Sequence, residues 1–287
     1  MFELTVLGTS SAMPTPERSL SCIAMRRDGD IFLFDCGEGS QRQMMRFGVS
    51  YMKVRAIFIS HLHMDHFLGV FGLLETLRLN GRTEKLTIYA PRGAEGVFGR
   101  KEFLEIKEID EKWSQDFGSF TVSSFATKHA GTSFGFSIEE KEKMRFHEEK
   151  AKGLGLAGPM FTEIQKKGKL TVAGKVIKLK DVTYSQPGKK IVYSGDSAPC
   201  ASLSRAAKGA DLLIHESTFG SDKVAEAKET SHSTAEDAAA CAKKAGAKKL
   251  LLTHFSCRYA STAQLVEEAK KAFPAVEAAK DGMKLEV

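Results

Sequence analysis

The sequence lacks any run of about eighteen apolar residues, the length that a membrane-spanning helix requires. Its first residues also have no basic segment ahead of the apolar ones, so no signal peptide is predicted. Repeats and low-complexity tracts are absent as well. With 42% hydrophobic and 27% charged residues among 287, the composition is that of a soluble globular protein with a large core. We therefore expect a cytoplasmic protein with no membrane partner.

Cysteine is scarce and scattered. The five cysteines are Cys22, Cys36, Cys200, Cys241 and Cys257, and they are never spaced as a zinc ribbon or a redox pair. An odd number of isolated cysteines predicts free, reduced thiols, which is typical of a cytosolic protein.

Positive charge is concentrated in one segment. The chain carries a net charge of +6, but residues 141–190 hold thirteen Lys or Arg against five Asp or Glu, a net +8 that leaves −2 for the rest. The segment contains only short strand-like pieces, at 170–172 and 176–179, and shows no clear core face. We predict a flexible basic arm at 141–190, inserted into one domain made of residues 1–140 and 191–287. Local charge of this kind favours an acidic partner.

Outside the arm, the hydrophobic pattern predicts an α/β fold. The predicted strands lie at 2–7, 20–26, 30–35, 55–60, 86–90, 119–126, 133–138, 191–194, 211–214 and 249–253. The predicted helices lie at 40–47, 67–80, 198–208, 234–245 and 261–272. Folds of this class usually place their ligands where strands end and short loops lead into helices.

The strongest signal is an H-x-H-x-D-H motif at residues 61–66, directly after a predicted strand. If the segment stays extended, His61 and His63 project to the same side and share one ion, while Asp65 and His66 serve a second ion. Such ligands suit zinc, with manganese or iron as alternatives. Two ions about 4 Å apart would acidify a shared water and clamp both the attacking and the leaving oxygen of a phosphodiester. Asp65 would ligate and also steer a proton.

Further ligands are needed to complete two sites. His129, Asp196 and His254 each follow a predicted strand. A lone His or Asp at a strand end is more often a structural hydrogen-bonding group than a ligand, so each candidate is weak by itself. Together with the motif, the three residues would complete both sites.

The motif, followed by later His, Asp and His residues, resembles the metallo-β-lactamase superfamily, and the whole chain resembles its ribonuclease Z branch. The motifs that carry this resemblance, in the same order as in the family, are Leu7-Gly8-Thr9 with Pro14 and Arg18, the segments 34–43 and 253–259, His215-Glu216-Ser217-Thr218 and His232-Ser233-Thr234. The resemblance implies a four-layer αββα sandwich with the basic arm inserted into the catalytic domain.

The resemblance also implies a role for each candidate residue. One zinc ion would be held by His61, His63, His129 and Asp196, and the other by Asp65, His66, His254 and the shared Asp196. Glu216 and His232 would transfer a proton to the leaving oxygen and, with Asp65, form the catalytic set. A partner behind the metal ligands that passes a proton is also what the chemistry would require.

The substrate implied by the resemblance is precursor tRNA, cut 3′ of the discriminator region by a hydroxide that bridges the two ions. The inserted arm resembles the one with which this family grips the tRNA elbow, and lysines suit phosphate binding without sequence specificity. The expected substrate-binding residues are Arg258, Tyr259, Gly158, Pro159, Lys166, Lys167 and Lys169. A homodimer, in which one subunit's arm serves the other's active site, is implied as well.

Two alternatives remain open on the sequence. The first is another binuclear hydrolase of this fold that acts on small phosphodiesters, aryl esters or lactones. The basic arm and the Ser256-x-Arg258-Tyr259 string argue against it, because a small substrate needs no remote phosphate grip. The second is a non-catalytic RNA-binding scaffold, and the presence of all seven expected ligands argues against it.

Overall fold

The computed structural model describes residues 1–99 and 101–287, which divide into two units. The larger unit comprises Met1–Ile138 and Lys190–Val287, and the smaller comprises Glu139–Lys189. None of the helices in these described residues is both long and apolar enough to cross a bilayer.

Strands and helices follow one another along the whole chain. In chain order the strands are β1 (Glu3–Gly8), β2 (Ser10–Ser11), β3 (Cys22–Arg27), β4 (Asp30–Phe34), β5 (Val54–Phe58), β6 (Leu86–Ala90), β7 (Leu104–Glu108), β8 (Ser114–Asp116), β9 (Phe120–Ala126), β10 (Phe134–Glu140), β11 (Lys143–Phe146), β12 (Lys169–Val172), β13 (Lys175–Lys178), β14 (Thr183–Gln186), β15 (Lys190–Tyr193), β16 (Leu212–Glu216), β17 (Leu250–Thr253), β18 (Phe255–Ser256), β19 (Val276–Ala278) and β20 (Lys284–Glu286). The α-helices are α1 (Ser40–Phe47), α2 (Met64–Phe67), α3 (Gly69–Leu79), α4 (Ala94–Phe98), α5 (Glu148–Gly153), α6 (Met160–Lys167), α7 (Leu179–Val182), α8 (Ala201–Ala206), α9 (Val224–Glu229), α10 (Ala235–Ala245) and α11 (Ala263–Lys270).

Two seven-stranded sheets form the larger unit. The first has the strand order β20-β1-β3-β4-β5-β6-β7, and the second has the order β19-β17-β16-β15-β10-β9-β8. Strands β4, β5, β6 and β7 run parallel to one another, and so do β15, β16, β17 and β19. Parallel neighbours place their carboxyl ends at one edge of each sheet, which is where the candidate ligands follow in the sequence.

The side chains of β4 alternate between two cores, as the period of a strand requires. Phe32 and Phe34 enter the core between the sheets, where Phe32 packs edge to face on Phe120 of the second sheet with 5.1 Å between ring centroids. Ile31 and Leu33 face the opposite way and enter a core with the leucines of α3. A third core lies between the second sheet and α8, α10 and α11. The layers are therefore helices, sheet, sheet, helices, and the predicted αββα sandwich is confirmed.

Helix α10 shows how local sequence fixes an element beside the site. The Thr234 hydroxyl accepts a hydrogen bond from the Asp237 amide at 3.1 Å, and the Asp237 carboxylate accepts one from the Thr234 amide at 3.0 Å. This capping box satisfies two amides that the first turn would leave unpaired. Gly246, with a φ of 63°, ends the helix in the left-handed conformation. The predicted helix at 234–245 is confirmed.

Sequence periodicity missed several short elements of the larger unit, among them α4, α9, β2, β18 and two edge strands. Strands β7 and β8 were not predicted, because both lie at sheet edges and their residues are half-exposed or exposed, which leaves little apolar signal. The single helix predicted at 67–80 is divided into α2 and α3. The division falls at Gly69, where the chain passes against the backbone of Gly37.

The smaller unit has its own core, and the expectation that this segment lacks a core face was wrong. Strands β11 and β14 form one antiparallel hairpin and β12 and β13 another. The buried residues are Ala151, Leu156, Ile164, Ile177 and Val182. They come from separate short elements and the loops between them, so no single element shows a periodic apolar face. As bounded here, the unit carries twelve Lys or Arg against seven Asp or Glu, a net +5 of the chain's +6.

We predict that Gly69→Ala lowers the free energy of unfolding by at least about 2 kcal/mol, the range of an overpacked core. A Cβ at position 69 would lie 2.0 Å from the carbonyl oxygen of Gly37, and backbone yields less than a flexible side chain. Gly96→Ala in α4 is the matched control, because its Cβ would meet nothing within 4 Å, and it should be neutral or stabilising by up to about 1 kcal/mol. Equal midpoints in denaturant unfolding would contradict the close approach.

Candidate metal centre

The predicted ligands converge at the carboxyl edges of the two sheets. His61 and His63 follow β5, with a bend at Leu62 and extended backbone at His63, and α2 begins at Met64, so Asp65 and His66 lie on its first turn. The remaining three follow β9, β15 and β17 and are His129, Asp196 and His254. The structure brings all seven together in two groups whose ligand atoms lie within 4.8 Å of one another, His61, His63, His129 and Asp196 in one and Asp65, His66 and His254 in the other.

In the first group, imidazole nitrogens face each other and one carboxylate. His129 Nε2 lies 3.2 Å from His63 Nδ1 and 3.9 Å from Asp196 Oδ2. His61 Nε2 lies 3.6 Å from the same Asp196 oxygen. These atoms surround one common point, as the ligands of a single ion do.

In the second group, His66 Nε2 and His254 Nε2 lie 3.2 Å apart. Each is 3.5 Å from Asp65 Oδ2. Asp196 reaches this group too, with Oδ2 3.2 Å from His66 Nε2 and Oδ1 3.4 Å from His254 Nε2. Its carboxylate therefore lies between the two groups, in the position of a shared ligand.

Two buried atoms without hydrogen-bond partners indicate that the site could hold cations. His61 Nε2 and Asp196 Oδ1 are buried side-chain atoms with no hydrogen-bond partner in the described structure. Burial and the neighbouring imidazoles lower the pKa of His61 well below its usual value, so its nitrogen lone pair is free. Burial opposes ionisation of Asp196, but the charges of His254 and His66 hold the pKa of this carboxyl well below its usual range. A bound cation would satisfy both orphaned atoms at once.

Two of the candidate histidine ligands are held through their other ring nitrogen by residues outside the ligand set. His129 Nδ1 donates to the carbonyl of Ser231 at 3.0 Å, and His254 Nδ1 lies 2.9 Å from the Thr218 hydroxyl. Bonds of this kind fix the tautomer and aim the free nitrogen at the metal position.

Asp35 orients His66, and sequence reasoning gave it no role. Its carboxylate accepts hydrogen bonds from His66 Nδ1 at 2.7 Å, from the amide and hydroxyl of Ser60 at 2.7 and 2.9 Å, and from the Tyr193 hydroxyl at 2.6 Å. Asp35 is fully buried and has a φ of 56°, an uncommon conformation for a residue other than glycine. Its place between a buried strand and a glycine turn was the available signal.

Glu216 and His232 lie beside the second group. His232 Nδ1 donates to Glu216 Oε1 at 2.8 Å, and Glu216 Oε2 accepts from the Thr218 hydroxyl at 2.7 Å. Burial alone would lower the pKa of His232, but the charge and hydrogen bond of Glu216 raise this pKa to about 9. His232 therefore holds a proton at neutral pH. Thr218, which no sequence argument identified, links Glu216 to His254.

The two predicted substrate-binding residues of the larger unit lie just after β18. Arg258 is exposed, whereas the Tyr259 hydroxyl donates to Asp222 at 2.8 Å and accepts from the Gly220 amide at 2.9 Å. Burial and Asp222 raise the pKa of Tyr259 to about 12. The Tyr259 carbonyl accepts a hydrogen bond from the guanidinium of Arg18. Tyr259 thus holds the loop together, and its contact with substrate stays a prediction.

The predicted arm residues all lie in the smaller unit. Gly158 has a φ of 47° and precedes Pro159, after which α6 begins. Lys166 and Lys167 are exposed at the end of α6, and Lys169 is exposed at the start of β12. Lys167 pairs at 2.7 Å with a glutamate one turn earlier. Contact of these residues with RNA stays a prediction.

Comparisons with known proteins identify the family. Residues 15–139 match the metallo-beta-lactamase superfamily model, and residues 159–255 match the beta-lactamase superfamily domain model. The chain is 42% identical to the ribonuclease Z of Methanothermobacter thermautotrophicus, over 100% of this chain and 97% of that one. It is 42% identical to the ribonuclease Z of Gemmatimonas aurantiaca, over 98% and 94%. The crystal structure of human tRNase Z, short form, superposes with a TM-score of 0.70 at 30% identity, covering 99% of this chain and 98% of that one. The resemblance in the motifs is thereby confirmed, and the chain belongs to the ribonuclease Z family of the metallo-beta-lactamase superfamily.

Proposed function

We propose that this protein is an endoribonuclease that removes the 3′ trailer of precursor tRNA by hydrolysing the phosphodiester 3′ of the discriminator region. The observation that carries the proposal is the convergence of seven side chains that could hold metal ions, beside a His232 that is hydrogen-bonded to Glu216. Full-length relatives at about 40% identity are named ribonuclease Z, and a solved relative is a human tRNase Z. The arrangement of side chains supports metal-dependent hydrolysis, and the names of the relatives support precursor tRNA as the substrate.

Two zinc ions are the proposed cofactors. His61, His63, His129 and Asp196 would hold one, and Asp65, His66, His254 and Asp196 would hold the other. Imidazole and carboxylate donors suit zinc, and manganese or iron could replace it. When bound, two such ions acidify water and offset the negative charge of a phosphodiester under attack. Asp65 Oδ2, which accepts a hydrogen bond from the Ala12 amide at 2.8 Å, is placed both to ligate and to receive a proton from the attacking water.

His232, held by Glu216, is proposed to protonate the leaving oxygen. Because Nδ1 of His232 donates to Glu216, Nε2 is the nitrogen that carries a proton to the leaving 3′ oxygen of the tRNA. The 2′-hydroxyl takes no part, so the products are a tRNA with a 3′-hydroxyl and a trailer with a 5′-phosphate. Mapping both end groups tests this assignment, and a 2′,3′-cyclic phosphate would refute it.

The smaller unit is proposed to bind the tRNA away from the cut. Its net +5 lies largely on exposed lysines, which bind phosphates as point charges. Nucleic acid is the partner that this distribution favours.

The cellular compartment and the oligomeric state are proposed from the cysteines and from family membership. All five cysteines are free thiols, which supports a reducing, cytoplasmic compartment. A homodimer is proposed from family membership alone, and a mass in solution of 31.4 kDa at micromolar concentration would refute it.

The purified protein should hold close to two metal ions per chain. Asp196→Ala should lower the content at both sites because this carboxylate reaches both groups of ligands. His147→Ala, which changes a histidine of the smaller unit, is the matched control and should retain both ions. Metal analysis after zinc loading measures the content, and one ion or none in the wild type would refute the two-metal mechanism.

His232→Ala and Glu216→Ala should keep both metals and lower kcat by about 10²–10⁴-fold, the usual contribution of a positioned acid or base. Metal content and single-turnover cleavage of a precursor tRNA are measured on the same preparations. Loss of metal together with activity would instead make these residues ligands. Unchanged kcat would remove them from the mechanism.

Changing Lys166, Lys167 and Lys169 together to Gln should raise KM for precursor tRNA and leave hydrolysis of a small chromogenic phosphodiester unchanged. Each lost phosphate contact reduces the slope of log K against log salt by about 0.9 for a duplex, so the slope should fall by about 2 to 3. The matched control is Lys208, Lys243 and Lys249 to Gln, an equal loss of charge from exposed lysines of the larger unit. Equal salt slopes in the two triple variants would show that the smaller unit makes no special contribution.

A further inference from the structure

The hydrogen bonds of Asp35 reach both groups of candidate ligands. Asp35 follows β4, and Ser60 follows β5 directly ahead of His61. The Ser60 hydroxyl donates to Asp35 Oδ2 at 2.9 Å and lies 3.0 Å from His61 Nδ1. His66 Nδ1 donates to the same Asp35 oxygen at 2.7 Å. All four residues are at most 1% exposed, so water does not compete for these bonds.

This network fixes which nitrogen of His61 carries a proton. A serine hydroxyl has one hydrogen, and an ionised carboxylate can only accept hydrogen bonds. Because the Ser60 hydroxyl gives its hydrogen to Asp35, its oxygen is left to accept, and His61 Nδ1 must donate to it. His61 Nε2 then carries the lone pair. That atom is the buried nitrogen without a hydrogen-bond partner in the described residues, and it lies 3.6 Å from Asp196 Oδ2.

Tyr193 ties Asp35 to the second sheet. Its hydroxyl donates to Asp35 Oδ2 at 2.6 Å, and its ring lies in the core between the sheets, with 6.2 Å between its centroid and that of Phe34. Tyr193 ends β15, and Asp196, the carboxylate that reaches both groups of ligands, follows this strand. The position of the Asp35 carboxylate is therefore set by residues of both sheets.

We propose that Asp35 positions one histidine of each proposed metal site, His66 directly and His61 through a serine hydroxyl. Ser60 and Tyr193 are then positioning residues for both ions, because they act through Asp35 and the histidines. A carboxylate that accepts from Nδ1 of a ligand fixes the ring and makes Nε2 a stronger donor to the metal. Through the serine, one carboxylate exerts this effect at both sites. The proposal rests on the two metal sites of the proposed function.

Ser60→Ala removes the link to His61 and keeps the direct bond between Asp35 and its other histidine. Zinc affinity is measured by competition with a chromogenic chelator. One of the two ions should bind about 10–100-fold more weakly, the usual loss when such a partner is removed, and the other should bind as in the wild type. Ser40→Ala is the matched control, because Ser40 is also buried and its hydroxyl donates to a backbone carbonyl at 2.7 Å. Equal zinc affinities in the two variants would overturn the proposal.

Nuclear magnetic resonance of the zinc-loaded protein distinguishes positioning from a general loss of packing. In the wild type, the Nδ1 protons of His61 and His66 should both exchange slowly with water and be observed, because each lies in a buried hydrogen bond. In Ser60→Ala the His61 signal should be lost and the His66 signal should remain. A His61 signal that Ser60→Ala leaves unchanged, or a His61 that binds zinc through Nδ1, would overturn the proposal.

Two further variants test whether Asp35 serves both sites. Asp35→Asn should weaken the binding of both ions, and a loss at one site alone would overturn the shared role. Tyr193→Phe should weaken both to a smaller extent, and Tyr89→Phe, in the same core, is its matched control and should bind zinc like the wild type. Unchanged affinity in Tyr193→Phe would overturn the role of Tyr193. A wild type with fewer than two ions would refute the proposed function as well, whereas two tightly bound ions in both the wild type and Ser60→Ala would overturn this proposal alone.

Discussion

The charge of Asp196, buried where the two sheets meet, is the constraint on which the site depends. An isolated carboxylate in a dry interior is too costly to keep ionised, so it must be compensated. Four imidazoles, those of His61, His66, His129 and His254, lie within 3.9 Å of its oxygens, yet Oδ1 still has no hydrogen-bond partner. Oδ1 of Asp196 and Nε2 of His61 are therefore buried acceptor atoms to which no group in the described residues donates a hydrogen bond. Bound cations would complete the compensation, and the candidate ligands lie at the ends of β5, β9, β15 and β17.

Backbone strain is concentrated at the same place. Six non-glycine residues in the described structure have a positive φ, and four of them support ligands. Ala12 donates to Asp65, Asp35 accepts from His66, Ser231 accepts from His129, and His254 is itself a candidate ligand. Each such conformation costs roughly 1–3 kcal/mol and persists only where the surrounding structure enforces it. The packing of the two sheets holds these residues in place. The stability of the sandwich therefore compensates for backbone conformations that the same residues would rarely adopt in an isolated segment.

How far the sequence could predict this structure depended on whether a feature was local. The candidate ligands in the H-x-H-x-D-H motif could be recognised because they are adjacent in sequence, and the helix at 234–245 could be recognised from its hydrophobic pattern. Asp35 was not, because its partners Ser60, His66 and Tyr193 are distant in sequence and its role exists only after folding. The core of the smaller unit was missed for the same reason. Strand β7 was missed because it has only five residues and its two apolar ones, Leu104 and Ile106, are half-buried at a sheet edge.

The two units differ in charge in the way that their proposed tasks would require. Hydrolysis requires side chains held to within a fraction of an ångström, and these side chains are in the larger unit, whose net charge is close to zero. Binding a polyanion needs only positive charge at the right distance, and most of that charge lies on the smaller unit. Two dications held by Asp65 and Asp196 would leave the metal centre with a net positive charge. That positive charge would attract the single negative charge of a phosphodiester to the site.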